Sequence, residues 1–349
     1  MLYCILIYAI FAFLLLFRVK AHPFCAEPAF FSGFNRLRGL FALEIVVGHV
    51  VRYENSLLYP LGKFMIISVA FFFFVSAYGM SRSFHQKPNY LAHFLFPKCA
   101  CLIALAAIAY VHSLLCQLLS GRTVVFSRIP AGFFASTNWY IWELLFFYAL
   151  FYGVYRYLPK YRIAVIAAVT AVGAVICYFV GLPQGYYSSS LAFPAGLLFY
   201  EHFDAVTGFL KTVAGKIAAF LLTCAGLSSL AFGTDSVIGM VVLRNLMCLS
   251  GLILLTYFLA YLTADNPCLR ILGKYSTEIY LYQFVFLQLT GGLLSWPVRI
   301  PAVFALTFAS ALLLFPLNRL VRRALTGTGG AHRTPSSDAG IHAKGAPHD

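Results

Sequence analysis

The sequence predicts an all-α membrane protein that crosses the bilayer about eleven times. Hydrophobic residues make up 61% of the chain and charged residues only 10%, whereas an ordinary soluble protein has about 25% charged residues. The mean hydropathy is +0.84. The apolar runs are also longer and more continuous than the alternating strands of about ten residues in an outer-membrane barrel. Helices are the remaining way to satisfy the backbone in lipid.

The apolar segments place the predicted helices along the chain. The first lacks a basic start and a small-residue cleavage site, which favours a retained helix, with a cleaved signal peptide as the alternative. The seventh contains Pro194 and Gly196, so we expect it to be broken or tilted. The predicted segments are 2–18, 37–53, 64–80, 99–119, 138–157, 162–181, 190–203, 216–232, 237–262, 275–294 and 300–318.

Three regions are predicted from this pattern. Residues 1–30 form an additional N-terminal transmembrane helix with its connection, and residues 31–323 form the membrane core. Residues 324–349 are rich in Gly, Ala, Ser, Pro and His, a composition that predicts a disordered tail.

The charge distribution predicts an orientation in a bacterial cytoplasmic membrane. The net charge of +14 would suit nucleic acid, but the basic residues occur in small groups between apolar runs, which is a topogenic pattern. If the connection between residues 18 and 36 is cytoplasmic, 19 of the 25 Lys and Arg residues are inside. We therefore expect an outside N-terminus, a cytoplasmic C-terminus and no nucleic-acid partner. The six basic residues placed outside are Arg52, Lys63, Arg122, Arg128, Arg244 and Arg299.

The nine cysteines lie mostly inside apolar runs. No CxxC pair occurs with a matching set of His or Cys residues, so the sequence predicts neither a disulfide framework nor a metal site. We interpret the thiols as buried and inert.

Arg38 and His49 are the most informative residues, in the segment NRLRGLFALEIVVGHVV. In a helix, eleven residues at about 100° each make almost three turns, so both side chains share one face, about 16 Å apart along the axis. A guanidinium at the membrane boundary and an imidazole near the midplane are costly to expose to lipid. Such groups usually face an interior filled with water or substrate.

Each of these residues has two interpretations. Arg38 could be a simple cytoplasmic anchor, but Arg36 already supplies one, and Gly39 would allow a helix or a ligand to approach closely. A guanidinium also suits the phosphates of an anionic cofactor. His49 could be a general base or nucleophile, or it could form a structural hydrogen bond between helices. The sequence does not distinguish the catalytic interpretation from the structural one. Glu44 and Glu143 are intramembrane acids that need partners.

Five motifs occur in a recognisable order along the chain. The first is NRLRGLFALEIVVGH, and the others are FFFFVSAYGMSRSF (71–84), KPNYLAHFLFPK (87–98), NWYIWELLFFYALFY (138–152) and ILGKYSTEIYLYQ (271–283). Together they resemble the acyltransferase family 3 proteins, bacterial integral membrane O-acyltransferases that modify surface glycans and lipids. The resemblance covers about residues 30 to 320, and the arginine and histidine separated by ten residues are its most specific element.

The resemblance implies a ten-helix core that takes an acetyl or other acyl group from acyl-CoA, without a metal, and passes it to a glycan or glycolipid hydroxyl. It implies a catalytic role for His49 and coenzyme A binding by Arg38, supported by Lys98. Further candidates for substrate contact or support are Glu143, Trp139, Tyr140, Ser276, Tyr280 and Gln283. For Trp139 and Tyr140, the sequence favours a place in the aromatic belt at the membrane interface, with stacking on sugar rings as the alternative.

The chain also departs from the family pattern. Asn35 stands where Asp is common, and Lys98 and Cys101 stand where relatives often have an Arg-x-x-Arg pair, so one cation is missing. Gln283 replaces a histidine. A polysaccharide or glycolipid exporter of similar architecture is the alternative function, although an exporter needs no group that accepts a proton from a hydroxyl.

Overall fold

A computed structural model describes residues 1–24, 27–51, 57–136, 139–228 and 236–326. Over these ranges the chain is helical apart from one short β-ribbon and the connections. The helices are α1 Leu2–Leu16, α2 Glu27–Val51, α3 Tyr59–Gln86, α4 Leu95–Leu119, α5 Ile129–Ser136, α6 Trp139–Tyr157, α7 Arg162–Phe179, α8 Gly185–Ser188, α9 Ala192–Glu201, α10 Phe203–Lys211, α11 Val213–Ser228, α12 Arg244–Tyr261, α13 Pro267–Lys274, α14 Ser276–Thr290 and α15 Trp296–Thr326.

The prediction of an all-α membrane protein is confirmed, and each of the eleven predicted segments overlaps an observed helix. Among the described residues, five helices are long and apolar enough to cross a membrane. The pair α10 and α11, bent by 91°, would make a sixth. Eleven crossings therefore stay a prediction. Of the predicted tail 324–349, residues 324–326 belong to the end of α15, and residues 327–349 lie outside the described part of the chain.

Two helix boundaries differ from the sequence prediction in informative ways. The helix α2 begins at Glu27 rather than near residue 37, because Phe30 and Phe34 pack inside an aromatic cluster with Phe199. Burial of these rings stabilises ten helical residues that lack a transmembrane-like composition. The break expected at Pro194 and Gly196 is absent: both residues lie inside the continuous helix α9, and the chain is interrupted before them, between α8 and α9.

The β-ribbon pairs two connections that are far apart in sequence. Strand β1, Val19–Ala21, runs antiparallel to β2, Leu262–Ala264, with Val19 opposite Ala264. Periodicity does not predict strands of three residues. The ribbon holds the connections after α1 and α12 together, and the charge distribution independently places both on one side of the membrane.

The helix α2 occupies the centre of the fold, packed against α3, α13, α14 and α15. Leu37, Ile45 and Val46 on this helix are fully buried. The Ser68 hydroxyl of α3 donates a 2.6 Å hydrogen bond to Glu44 Oε2, so the acid that the sequence left without a partner bonds to the adjacent helix.

Glu201 joins four helices at the end of α9. Its Oε1 accepts hydrogen bonds from Ser81 at 2.9 Å and from Tyr155, and Arg162 forms an ion pair with its Oε2. A buried carboxylate held by several donors fixes the relative positions of α3, α6, α7 and α9.

Candidate functional site

The first of two cavities along α2 contains Arg38. This Arg38 cavity has a volume of about 370 Å³, and its lining includes Arg38, Lys98, Tyr140, Ser276 and Tyr280. Lys98 lies exposed at the rim, whereas Arg38 is partly buried. Nε of Arg38 is buried and has no hydrogen-bond partner among the described residues. Because a buried donor usually has a partner, this atom suggests that an acceptor enters the cavity.

The second cavity contains His49. This His49 cavity has a volume of about 800 Å³. Its lining includes His49, Lys63, Trp139, Arg244 and Phe284. The His49 ring packs edge-on against Phe284, with 5.2 Å between the ring centroids. The structure therefore places the arginine and the histidine of α2 in different cavities, each open to ligand.

Tyr280 lines both cavities. It is only 7% exposed, and its ring packs against Tyr140 at 5.0 Å, Phe284 at 6.2 Å and Phe72 at 6.5 Å between centroids. We call these four aromatic residues the partition, since they lie where the two cavities meet. Tyr280 is the only described residue that lines both of them.

Helix geometry explains which cationic residue of α2 reaches the cavity. Asn35 and Arg38 are three residues apart and both line it, whereas Arg36 is not among its described lining residues. Two residues of offset rotate a helical side chain by about 200°, which turns Arg36 away from Arg38. Beside Arg38, Gly39 packs against α13, and a Cβ there would lie only 2.6 Å from the Gly273 nitrogen.

The sequence did not single out an ion pair that lies beside the Arg38 cavity. Arg322 of α15 donates to Glu278 of α14 at 2.6 Å, and Glu278 is fully buried. Both side chains interact electrostatically with Arg38, and Arg322 also with Lys98. Three cations against one carboxylate give this end of the cavity a net positive charge, which favours an anionic ligand. The sequence did contain one signal for this ion pair, because Glu278 is an acid inside an apolar run.

The other site residues predicted from the sequence are divided between the two cavities and the buried interior. Trp139 lines the His49 cavity, whereas its neighbour Tyr140 lines the Arg38 cavity and is 9% exposed. Gln283 is fully buried, and its amide donates to the Tyr280 carbonyl at 3.2 Å. Glu143 is 5% exposed, with no described partner for its Oε2. Neither Gln283 nor Glu143 is among the described residues that line the two cavities.

Lys63 and Arg244 were also not proposed from the sequence, although both belong to the six basic residues placed outside. Their convergence on one cavity depends on how α3 and α12 pack, which no local pattern reveals. Within the described ranges, no cluster of three or more His, Cys, Asp or Glu residues could hold a metal ion, and the described cysteines form no disulfide.

These observations define a class of protein: an all-helical membrane protein in which one central helix contributes to a cationic cavity and to a histidine cavity. The model of an acyltransferase domain, the acyltransferase 3 family, matches residues 31–319. The match covers most of the chain, and the chain therefore belongs to this acyltransferase family. No curated protein and no solved structure gave a significant match.

Proposed function

We propose that this membrane acyltransferase moves an acetyl or other short acyl group from acyl-CoA to a hydroxyl of a cell-surface glycan or glycolipid. The observation that carries the proposal is the arrangement along α2, where the Arg38 cavity and the His49 cavity meet at Tyr280. One cavity suits an anionic donor, the other offers a base, and the partition separates them.

Arg38 binds the donor in this proposal, with Lys98 in support. Coenzyme A carries phosphates at one end of a long arm and the thioester at the other. The guanidinium fork matches phosphate oxygens, and the buried Nε of Arg38 supplies a donor that lacks a described partner. The arm then extends from Arg38 towards Tyr280, which brings the thioester to the partition.

His49 handles the acceptor. Its imidazole takes the proton from the hydroxyl while the oxygen attacks the thioester carbonyl carbon. The carbon–sulfur bond then breaks, the thiolate leaves and takes up a proton, and the products are an ester and coenzyme A. In the alternative, the His49 imidazole attacks the thioester carbonyl carbon and the thiolate leaves. The acceptor oxygen then displaces the imidazole from the acyl group, and the hydroxyl proton passes to the imidazole.

The direct test uses the whole protein in lipid nanodiscs with radiolabelled acetyl-CoA and envelope glycans from cells that lack it. We expect label in alkali-labile esters, and equimolar release of coenzyme A. Mass spectrometry of surface glycans from deletion and complemented strains should show the same ester in the complemented strain alone. Absence of ester in both experiments would refute the proposed function.

Replacing Arg38 with Ala should weaken acyl-CoA binding about ten- to a hundredfold. A hydrogen bond to a charged group contributes roughly 1.5–3 kcal/mol, which corresponds to that range. Arg38→Lys should restore only part of the affinity, because an ammonium lacks the bidentate fork. Dissociation constants from calorimetry in nanodiscs measure the effect.

Arg36→Ala is the matched control, since Arg36 is on the same helix but outside the described lining of the cavity. It should bind acyl-CoA like the unmodified protein. Equal losses from both substitutions would instead indicate a general anchoring role for these arginines.

The orientation is also proposed: an outside N-terminus and a cytoplasmic C-terminus in the bacterial inner membrane, with Arg38 towards the cytoplasm. Nineteen of the 25 basic residues lie inside in this arrangement. Reporter fusions at residue 335 and within residues 54–62 should therefore give cytoplasmic and periplasmic signals, respectively. A periplasmic signal at 335 would place Arg38 on the wrong side for a cytoplasmic donor.

A further inference from the structure

The His49 cavity contains two cations whose position on the outer side is unusual. Lys63 of α3 and Arg244 of α12 both line it, and both belong to the six basic residues that the charge distribution places outside. The positive-inside rule favours basic residues on the other side, so membrane anchoring is a weak explanation for these two. Two of the six meet next to the proposed catalytic base.

The cavity wall holds Arg244 in place through its neighbour. Asn245 is 1% exposed and accepts a 3.0 Å hydrogen bond from the Leu191 nitrogen. Its amide donates to the carbonyls of Tyr187 and Val241 at 2.6 and 2.7 Å. These bonds connect the start of α12 to the break between α8 and α9, so the residue next to Arg244 cannot rotate freely.

A π-helix over Ile238–Leu243 precedes Arg244. A π-turn widens the helix and shifts the register of the residues after it, and such turns are frequent at functional sites. Together with the bonds of Asn245, this turn sets where the Arg244 backbone lies at the start of α12. The Arg244 position is therefore built into the backbone.

The rest of the lining suits a sugar ring. Trp139 and Tyr59 are among the aromatic residues of the lining, and the start of α8 packs against the Trp139 indole at Gly185, where a Cβ would collide with it. The volume of about 800 Å³ is within the usual range for ligand sites. The described lining residues include the cations Lys63 and Arg244 and no carboxylate.

We propose that the His49 cavity takes an acceptor saccharide that carries a negative charge, a carboxylate or a phosphate, which Lys63 and Arg244 bind while His49 faces the hydroxyl. This inference rests on the proposed function and adds the chemical class of the acceptor. The cations orient the saccharide through its anionic group, and the aromatic wall contacts its ring faces.

The test offers the nanodisc-embedded protein the whole mixture of envelope glycans and glycolipids from cells that lack it, with radiolabelled acetyl-CoA. Labelled products are then separated by anion exchange. We expect the label to be retained on the exchanger. Reducing the carboxylates of the acceptors beforehand, or removing phosphoesters with aqueous hydrofluoric acid, should abolish labelling in one of the two cases and so identify the anionic group.

Substitutions of Lys63 and Arg244 test whether these two cations cause the preference for an anionic acceptor. Lys63→Gln and Arg244→Gln should each lower kcat/KM for the labelled anionic acceptor about ten- to a hundredfold. Lys63→Glu should lower it further. The control is Arg122→Gln, an exposed outer-side cation that is not among the described lining residues, and it should behave as the unmodified protein.

Three outcomes overturn the inference: label only in neutral saccharides, labelling that survives both acceptor treatments, or equal kinetics in all four variants. Each leaves the acyltransferase proposal standing, because acyl transfer still occurs. If no saccharide or lipid is labelled while the protein binds acyl-CoA, the proposed function fails and the inference fails with it.

Discussion

Replacing His49 with Gln should abolish acylation while the protein still folds and inserts. Glutamine keeps a polar side chain in the His49 cavity but cannot accept a proton at neutral pH. General base catalysis is typically worth 10²–10⁴-fold, and loss of a covalent acyl carrier would cost more. The measurement is the amount of surface glycan and its acyl content in the same cells. Both values are normalised to the level of the protein by immunoblot.

The same measurement separates an enzyme from an exporter. In an acyltransferase, the unmodified glycan still reaches the surface of His49→Gln cells, only without its ester. An exporter gives the reverse pattern, with less glycan outside and unchanged acylation per sugar. Intact acylation with glycan trapped inside would show that our assignment is wrong.

Much of the fold was predictable because lipid imposes long apolar helices. Every predicted segment overlaps an observed helix, whereas Pro194 and Gly196, from which a break was expected, lie inside the continuous helix α9. The start of α2 was missed because Phe30 and Phe34 are helical through packing against distant rings. Tertiary contacts also create the β-ribbon, whose strands are too short for a periodic signal.

The candidate site was predictable only where residues share one helix. The spacing of Arg38 and His49 indicated two interior groups, but it gave no information on the wall between them. Tyr280 was a candidate from its motif alone, and its position between two cavities follows from the packing of α14 against α2 and α4. Lys63 and Arg244 lie on helices far apart in sequence, so their shared cavity was not accessible to pattern analysis.

The partition suggests that Tyr280 limits the length of the acyl group. In the proposed function, a donor held at Arg38 presents its thioester past Tyr280, Phe72, Tyr140 and Phe284 to reach His49. An acetyl group needs little space there, whereas each further methylene must fit beside these rings. Interiors are close-packed, so extra methylenes in a filled space are unfavourable. We therefore expect the unmodified protein to prefer acetyl-CoA to octanoyl-CoA.

Tyr280→Leu should remove much of this preference. Burying a methylene contributes about 0.8 kcal/mol, so the six additional methylenes of octanoyl could gain roughly 5 kcal/mol if the opened space accepted all of them. With partial accommodation, we expect the ratio of kcat/KM for octanoyl-CoA over acetyl-CoA to rise about 10²–10³-fold. Hydrolysis of acyl-CoA without acceptor should rise as well, since water can cross the widened gap.

Two variants show whether the effect belongs to the partition. Tyr280→Phe keeps the ring and should keep the preference for acetyl. Tyr148→Leu makes the same chemical change at a residue that lines the Arg38 cavity but is not one of the four partition residues, and should leave the octanoyl-to-acetyl ratio within a few-fold of its original value. If Tyr148→Leu changes the ratio as much as Tyr280→Leu, general loosening of the cavity explains it and the acyl group does not pass Tyr280. If Tyr280→Leu leaves the ratio unchanged in protein that still binds acyl-CoA, Tyr280 does not limit the length of the acyl group and another part of the cavity wall does.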